Sequence, residues 1–367
     1  MKIAIGYNTS HYAWMFRENL IKKLIEKGNI VIIIAPLDEY SINFEKIGVK
    51  HIDIKIKMNR NIFSDINIIK DFFKIFKKEN VDIYLGYTIK PNIYGSIAAY
   101  LLGIKIINNI AGLGSTFINR SITTVVVQYL YKIALFKSDT VFFQNKDDLN
   151  LFLEKKIIKH KNFDLIPGSG VDLIKYNELV FKKPENNFIF LLIGRILFEK
   201  GIREYVEAAR IIKLKNKNVI FQLLGPIDSK NPSTIPASMI EEWHSMGIIN
   251  YIGVSADVRK EIAIADCVVL PSYREGTPRS LLEAAAMGKP LITTNSVGCR
   301  EVVEHNYNGF LCNTYDHVDL ANKMMQLMSL PHSKIQQMGQ NSRKKVESQF
   351  SEEIVIDKYL KLISKLK

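Results

Sequence analysis

The chain has 367 residues, 47% of them hydrophobic and 24% charged, an ordinary globular balance at a length that favours two domains. No uninterrupted apolar run reaches membrane-spanning length; the best, Ile122–Phe136, is broken by Gln128 and Lys132. The formal net charge is +13, and residues 1–180 carry +8 of it, with 25 Lys and Arg against 17 Asp and Glu. Such a surplus suits nucleic acid, an anionic membrane surface or phosphorylated substrates. No nucleic-acid motif accompanies it, so nucleic acid is set aside. For any single lysine a solvated face is the ordinary reading. Cys267, Cys299 and Cys312 are an odd number without metal-ligand spacing, which reads as reduced core thiols in a cytosolic protein.

The first half alternates apolar strands with helical patterns. Lys2–Gly6 reads as a strand rather than a signal peptide, because a polar loop follows at once. Trp14–Lys27 is helical and Ile30–Ala35 a strand; Ile52–Ile56 alternates at period two, and Ile66–Lys78 is helical again. Val81–Tyr84, Ile104–Asn108 and Val141–Gln144 add strands, the alternation of a doubly wound parallel sheet. The loop Gly6–His11 lacks the repeated glycines of a dinucleotide fingerprint, and His11 is an ordinary loop residue. The helix DINIIKDFFKIFKKEN mixes Phe72, Phe73 and Phe76 with Lys70, Lys74, Lys77 and Lys78. The aromatics suit a core, while the lysines suit water or anionic lipid. Thr116–Phe136 is a second unusually apolar segment, buried or interfacial. Two loops follow strands and so open at a carboxyl edge: Tyr87–Asn92 with Lys90 and Asn92, and Asn108–Ser115 with Gly112 and Ser115.

Lys182–Asn187 is a polar linker, and Phe188–Ile193 opens the second half as a buried strand followed by Gly194-Arg195 and then Lys200-Gly201. Val219–Leu224 and Asn250–Gly253 are further strands, ending at Gly225 and Val254. Cys267–Leu270 is a strand, residues 279–287 a helix capped by Gly288, and Leu291–Thr294 the next strand. In the loop between, Glu275 stands eight residues before Glu283, and the helix start near Thr277–Ser280 offers N–H groups to an anion. Ser351–Lys365 is a last amphipathic helix.

The run P-S-Y-R-E-G-T-P-R-S-L-L-E resembles the E-x7-E signature of retaining glycosyltransferase family 4, and G-R-x-x-x-x-K-G at 194–201 resembles the same family's diphosphate-binding stretch. The resemblance implies an α/β protein of the GT-B fold, two facing Rossmann-like doubly wound parallel-sheet domains with a cleft between them. It places an acceptor domain at 1–178, a nucleotide-sugar domain at 187–348 and a terminal helix at 349–367 crossing back. It implies that Glu275 meets the donor sugar, Glu283 the ribose, and Arg195 and Lys200 the diphosphate, with Gly276, Thr277, Pro278, Arg279, Ser280, Gly225 and Val254 lining the donor. Lys90, Asn92, Gly112 and Ser115 fall on the acceptor side. Many relatives carry a His before the G-L-G-type turn; here Ala111 stands there.

The implied reaction is retaining, metal-independent and cofactor-free transfer of a sugar from a UDP-sugar. Y-T-I-K-P-N, G-L-G-S and E-G-T-P-R-S together resemble bacterial enzymes that build surface polysaccharide, some moving N-acetylhexosamine onto an undecaprenyl-diphosphate glycan. A peripheral place on the cytoplasmic face of the inner membrane follows from that acceptor. Two other readings stand beside it: a UDP-sugar 2-epimerase of the same fold, and a non-catalytic nucleotide- or glycolipid-binding protein.

Overall fold

A computed structural model describes residues 1–56, 62–113, 122–158, 162–179, 187–229 and 231–366. They form two compact units, one of residues 1–169 with 354–367 and the other of residues 170–353.

The first unit is built on seven strands: β1 (Lys2–Gly6), β2 (Ile30–Ile34), β3 (Lys50–Ile52), β4 (Ile83–Tyr87), β5 (Lys105–Ile110), β6 (Thr140–Phe143) and β7 (Phe163–Leu165). They pair in parallel in the order β3-β2-β1-β4-β5-β6-β7. β1 and β2 are continuous Ile and Val runs because helices cover both faces of a parallel sheet. The helix Ser10–Glu26 starts where the Thr9 side chain accepts the Tyr12 N–H, and Lys146–Glu154 starts the same way from Asn145. Phe72 and Phe76 are fully buried while Lys70, Lys74, Lys77 and Lys78 on the helix Ile62–Glu79 stay exposed. The Phe/Lys helix is therefore core on one face and exposed on the other.

The strand expected over Ile52–Ile56 ends at Ile52. Ile54 and Ile56 are buried and Asp53 and Lys55 exposed, so the period-two pattern marks a buried face correctly. The Asp53 carboxylate instead accepts the Leu37 N–H at 3.0 Å, away from the ladder. Alternation reports which face is covered, not whether a neighbour strand is present.

The second unit has six parallel strands: β8 (Phe188–Ile193), β9 (Val219–Leu224), β10 (Asn250–Tyr251), β11 (Cys267–Leu270), β12 (Leu291–Thr294) and β13 (Gly309–Cys312), in the order β10-β9-β8-β11-β12-β13. Residues 170–178, expected with the first domain, belong here. Val171 N–H donates to Phe350 O at 2.9 Å, Glu352 N–H returns to Val171 O at 3.0 Å, and Arg343 donates to Tyr176 O at 2.9 Å. The expected linker residues 182–186 lie outside the described residues. The helix Glu352–Lys365 packs Val355, Tyr359 and Ile363 into the first unit's core, with Tyr359 Oη accepting from Asn109 Nδ2 at 3.0 Å. The apolar segment 116–136 is described from residue 122 as the helix Ile122–Leu135, which buries Tyr131, Ala134 and Leu135 and leaves Val125, Tyr129 and Ile133 exposed.

All three cysteines are free and buried. Burial pushes the Cys299 thiol up to about 11 and Cys312 up to about 12, and lifts Cys267 well above the usual thiol range. In the folded protein a thiol reagent at mildly alkaline pH should therefore label none of the three, and denaturant should release them all. Rapid labelling of any of them before unfolding would contradict that burial.

Candidate active site

In the second sheet β8, β9 and β10 wind one way and β11, β12 and β13 the other, so the order reverses between β8 and β11. Open α/β sheets bind ligands beyond the carboxyl ends of the strands at such a reversal, because the two connecting loops splay apart there. The loop after β8 carries Arg195 and Lys200, and the loop after β11 carries Glu275. Sequence positions about 75 apart meet as a hydrogen-bonded ion pair between Lys200 Nζ and Glu275 Oε1, with side chains only 17% and 14% exposed.

Two glycines make that approach possible. Gly201 has φ +71°, and a Cβ there would stand 2.0 Å from Pro271 O, so only glycine lets the loop after β8 lie against the loop after β11. Gly298 has φ +83°, and its Cβ would fall 2.3 Å from Glu275 O and 2.4 Å from Gly276 O. Glu275 N–H donates to Val297 O at 2.9 Å, tying the same loop to the one after β12. The Ser272 hydroxyl donates to Glu275 Oε1 at 2.7 Å and stands 3.0 Å from the Glu199 carbonyl oxygen. Ser272 thus steadies the carboxylate. It sits in the P-S-Y-R-E run, where a three-residue spacing to Glu275 is its only sequence signal. Arg195 is exposed and makes no ion pair among the described residues.

The helix Arg279–Ala286 begins after Pro278, whose ring cannot cap it. One turn in, Arg279 Nε donates to Glu283 Oε1 at 2.7 Å, with side chains 19% and 8% exposed. Tyr176 packs on this pair; burial first, then the Glu283 charge, raises its phenol above the usual range. Glu283 is therefore a paired carboxylate in a nearly closed cluster, and Tyr176 is a partner that sequence reasoning did not find. Gly276 and Pro278 are buried, while Thr277 and Ser280 are half-buried at the helix start. Gly225 N–H donates to Gly253 O at 2.8 Å, which joins the loops after β9 and β10, and Val254 is 68% exposed beside them.

In the first unit the expected acceptor residues divide. Lys90 Nζ donates to Asp65 Oδ1 at 2.6 Å, and the other Asp65 oxygen accepts Tyr94 Oη at 2.7 Å. Asn92 is 1% exposed; its amide donates to Asn109 O at 2.8 Å and accepts from Asn108 Nδ2 at 2.8 Å. The expectation that Asn92 meets an acceptor is corrected: its polar atoms are spent inside the unit, where an unpaired amide would be costly. Gly112 is half-buried, Ala111 is exposed, and Ser115 lies outside the described residues. Among the described residues no group of three or more His, Cys, Asp and Glu side chains could hold a metal ion, and no helix is long and apolar enough to cross a membrane.

Residues 177–345 match the family model for glycosyl transferases group 1, and residues 5–145 match that for glycosyl transferase 4-like proteins. The chain is 29% identical to the N,N'-diacetylbacillosaminyl-diphospho-undecaprenol alpha-1,3-N-acetylgalactosaminyltransferase of Campylobacter jejuni, over 100% of this chain and 99% of that one. It is 24% identical to the UDP-Gal:alpha-D-GlcNAc-diphosphoundecaprenol alpha-1,3-galactosyltransferase of Escherichia coli, over 80% of this chain and 78% of that one. A glycosyltransferase from Rickettsia africae has the same fold, with a TM-score of 0.82 at 21% identity and cover of 100% and 98% of the two chains. With both family models lying in tandem on two parallel-sheet units, the chain belongs to the GT-B glycosyltransferases and is a hexosyltransferase.

Proposed function

We propose that this enzyme moves an N-acetylhexosamine from a UDP-sugar onto an undecaprenyl-diphosphate-linked glycan, with retention of anomeric configuration. The observation that carries the donor half is the Lys200–Glu275 pair at the reversal of strand order, with Arg195 beside it on the same loop. The names of the Campylobacter and Escherichia relatives support the acceptor, and being transferases they weigh against a 2-epimerase.

The chemistry follows from the charges. A leaving diphosphate gains negative charge as the sugar departs; Arg195 offers it a fork of donors and Lys200 a point charge, so two fixed cations do what a divalent metal does elsewhere. Glu275 accepts hydrogen bonds from sugar hydroxyls, held in place by Ser272 and by its own backbone bond to Val297. Glu283 accepts the ribose hydroxyls, and the backbone at Gly276, Thr277, Pro278, Arg279 and Ser280, with Gly225 and Val254, lines the rest of the nucleotide. The acceptor hydroxyl attacks the face the diphosphate is leaving, and the diphosphate takes its proton. Incubation with UDP-sugars and a lipid-diphosphate glycan should yield free UDP and an extended glycan with an α linkage. An epimerised sugar, or no turnover, would overturn the reading.

Glu275→Gln should nearly abolish transfer without unfolding the protein, since a loop carboxylate at a strand end serves a ligand rather than a core. Glu283→Ala should weaken UDP binding more than turnover, because ribose contacts change little between ground and transition states. Full activity in Glu275→Gln would refute the site.

Arg195→Ala and Lys200→Ala should each lower kcat by about 100-fold or more, the scale of one lost electrostatic stabiliser. Activity should persist in excess EDTA. A strict requirement for added divalent metal would refute the assignment of the diphosphate to these two cations.

The acceptor lipid calls for a membrane surface on the first unit. There the helices Ile62–Glu79, Ser96–Leu101 and Ile122–Leu135 expose Ile66, Leu101, Val125, Tyr129 and Ile133, with Phe136 just beyond. Ile69, Lys70, Phe73, Lys74 and Leu101 line an open hollow of about 280 Å³. Exposed apolar side chains on helices that also carry exposed lysines match an anionic bilayer on the cytoplasmic side, each lysine adding roughly 1 kcal/mol. Sedimentation should show binding to anionic but not neutral vesicles, weakened by salt because screening acts over about 10 Å at 0.1 M. Changing Lys70, Lys74, Lys77 and Lys78 to Gln should weaken it without altering donor hydrolysis. Equal, negligible binding to both kinds of vesicle would leave these lysines as a solvated face.

A further inference from the structure

The first sheet has its own reversal, between β1 and β4, and an unusual residue stands there. Arg17, in the helix Ser10–Glu26, is 2% exposed. Its Nε donates to Tyr7 Oη at 3.2 Å, and its guanidinium lies 4.5 Å from the centroid of the Tyr87 ring. Tyr7 directly follows β1 and Tyr87 ends β4; their rings stack at 4.7 Å. Tyr359 closes the cage against Tyr87 and bonds to Asn109 on β5. The guanidinium is thus held across the carboxyl edge of three neighbouring strands.

What it lacks among the described residues is an anion. Among the described residues no carboxylate pairs with Arg17, and Tyr7 supplies its one hydrogen bond. Helical side chains lean toward the N-terminus, the positive end of the dipole, and the first turn of this helix holds no acid. A buried cation is normally paired, because leaving water without a partner is expensive. Tyrosine faces offset part of that cost, but Arg carries five N–H donors and one is used here. Next to Tyr87 in the chain, Thr88 has φ +60°, a conformation that is strained for a β-branched side chain and that gathers at ligand sites.

We propose that Arg17 is the cation of a diphosphate subsite in the first unit, its unused donors taking the phosphate oxygens of the lipid-linked acceptor. This rests on the transferase reading above. The strand reversal supplies the location, the Tyr7–Tyr87–Tyr359 cage fixes the guanidinium before ligand arrives, and the diphosphate supplies the missing charge.

The test uses the full-length enzyme saturated with UDP, so that the donor site is filled, and titrates inorganic pyrophosphate by calorimetry. Wild type should bind pyrophosphate, and Arg17→Met should lose about tenfold or more of that affinity, the scale of one charge-assisted contact, with UDP affinity unchanged. Because the bare cation is costly, Arg17→Met should also unfold no earlier than wild type in the absence of anions, and should lose the rise in Tm that pyrophosphate gives. A purely structural arginine would do the opposite, destabilising the apo protein and leaving pyrophosphate binding intact, and that result overturns the proposal. So does a UDP-saturated wild type that binds no pyrophosphate, a measurement that needs no variant to fold. The KM values in Arg17→Lys identify the source: a rise for the acceptor alone assigns its diphosphate, whereas a rise for the UDP-sugar alone overturns that assignment in favour of the donor's. The donor-site reading fails separately, by absence of UDP binding, and the pyrophosphate titration then decides this one on its own.

Discussion

The ion pair between Lys200 and Glu275 joins two loops that leave neighbouring strands, β8 and β11, in opposite topological directions. Its contribution to stability is modest, because a largely buried pair gives back in desolvation much of what it gains in attraction. Its structural meaning is larger. Both charges stay at the carboxyl rim of the sheet, fixed by Ser272 and by backbone bonds, and Gly201 and Gly298 clear the space in which the loops touch. Adding one methyl group at either glycine would push the loops apart, so the site depends on what is missing from two residues as much as on what Lys200, Glu275 and Ser272 carry.

The two units solve a common problem with different chemistry. Each is a parallel sheet whose order reverses once, and each places a cation at the reversal. In the second unit Lys200 is answered by a carboxylate, so the rim is locally neutral with Arg195 exposed beside it. In the first, Arg17 is answered by aromatic faces and a phenol. One rim is organised by Coulomb attraction, the other by packing. The second device draws on the end of the chain as well, since Tyr359 comes from the terminal helix Glu352–Lys365.

Much of the second unit was legible in the sequence. The runs 188–193, 219–224, 267–270 and 291–294 coincide with β8, β9, β11 and β12, because strands buried on both faces are short apolar runs with Gly or Pro close by. The loop residues Glu275, Arg195 and Lys200 stood out through the family resemblance of the runs around them, at the carboxyl ends of buried strands. Less was visible where local pattern and tertiary partner disagree. β13 is four residues long, and the long helices His317–Met328 and His332–Gln349 mix polar residues into every turn, so local pattern marks none of the three. Ile52–Ile56 alternated convincingly yet paired only at its first residue.

By itself the sequence determined the class of fold, the strands of the nucleotide half and the residues that carry its charge. These follow from periodicity, from charged residues at strand ends and from the family resemblance of the runs that hold them. Tertiary structure alone decided how those residues are spent. Asn92, on a loop at a strand end, turned inward to Asn108 and Asn109, and Glu283, an open carboxylate on paper, closed onto Arg279 and Tyr176. Arg17 lies within the helical run Trp14–Lys27 with nothing in the local pattern to mark it, and it is a buried cation between rings contributed by residues 7, 87 and 359. Hydrogen bonds and burial depend on neighbours that are distant along the chain, and no local pattern encodes which partner a polar side chain will find.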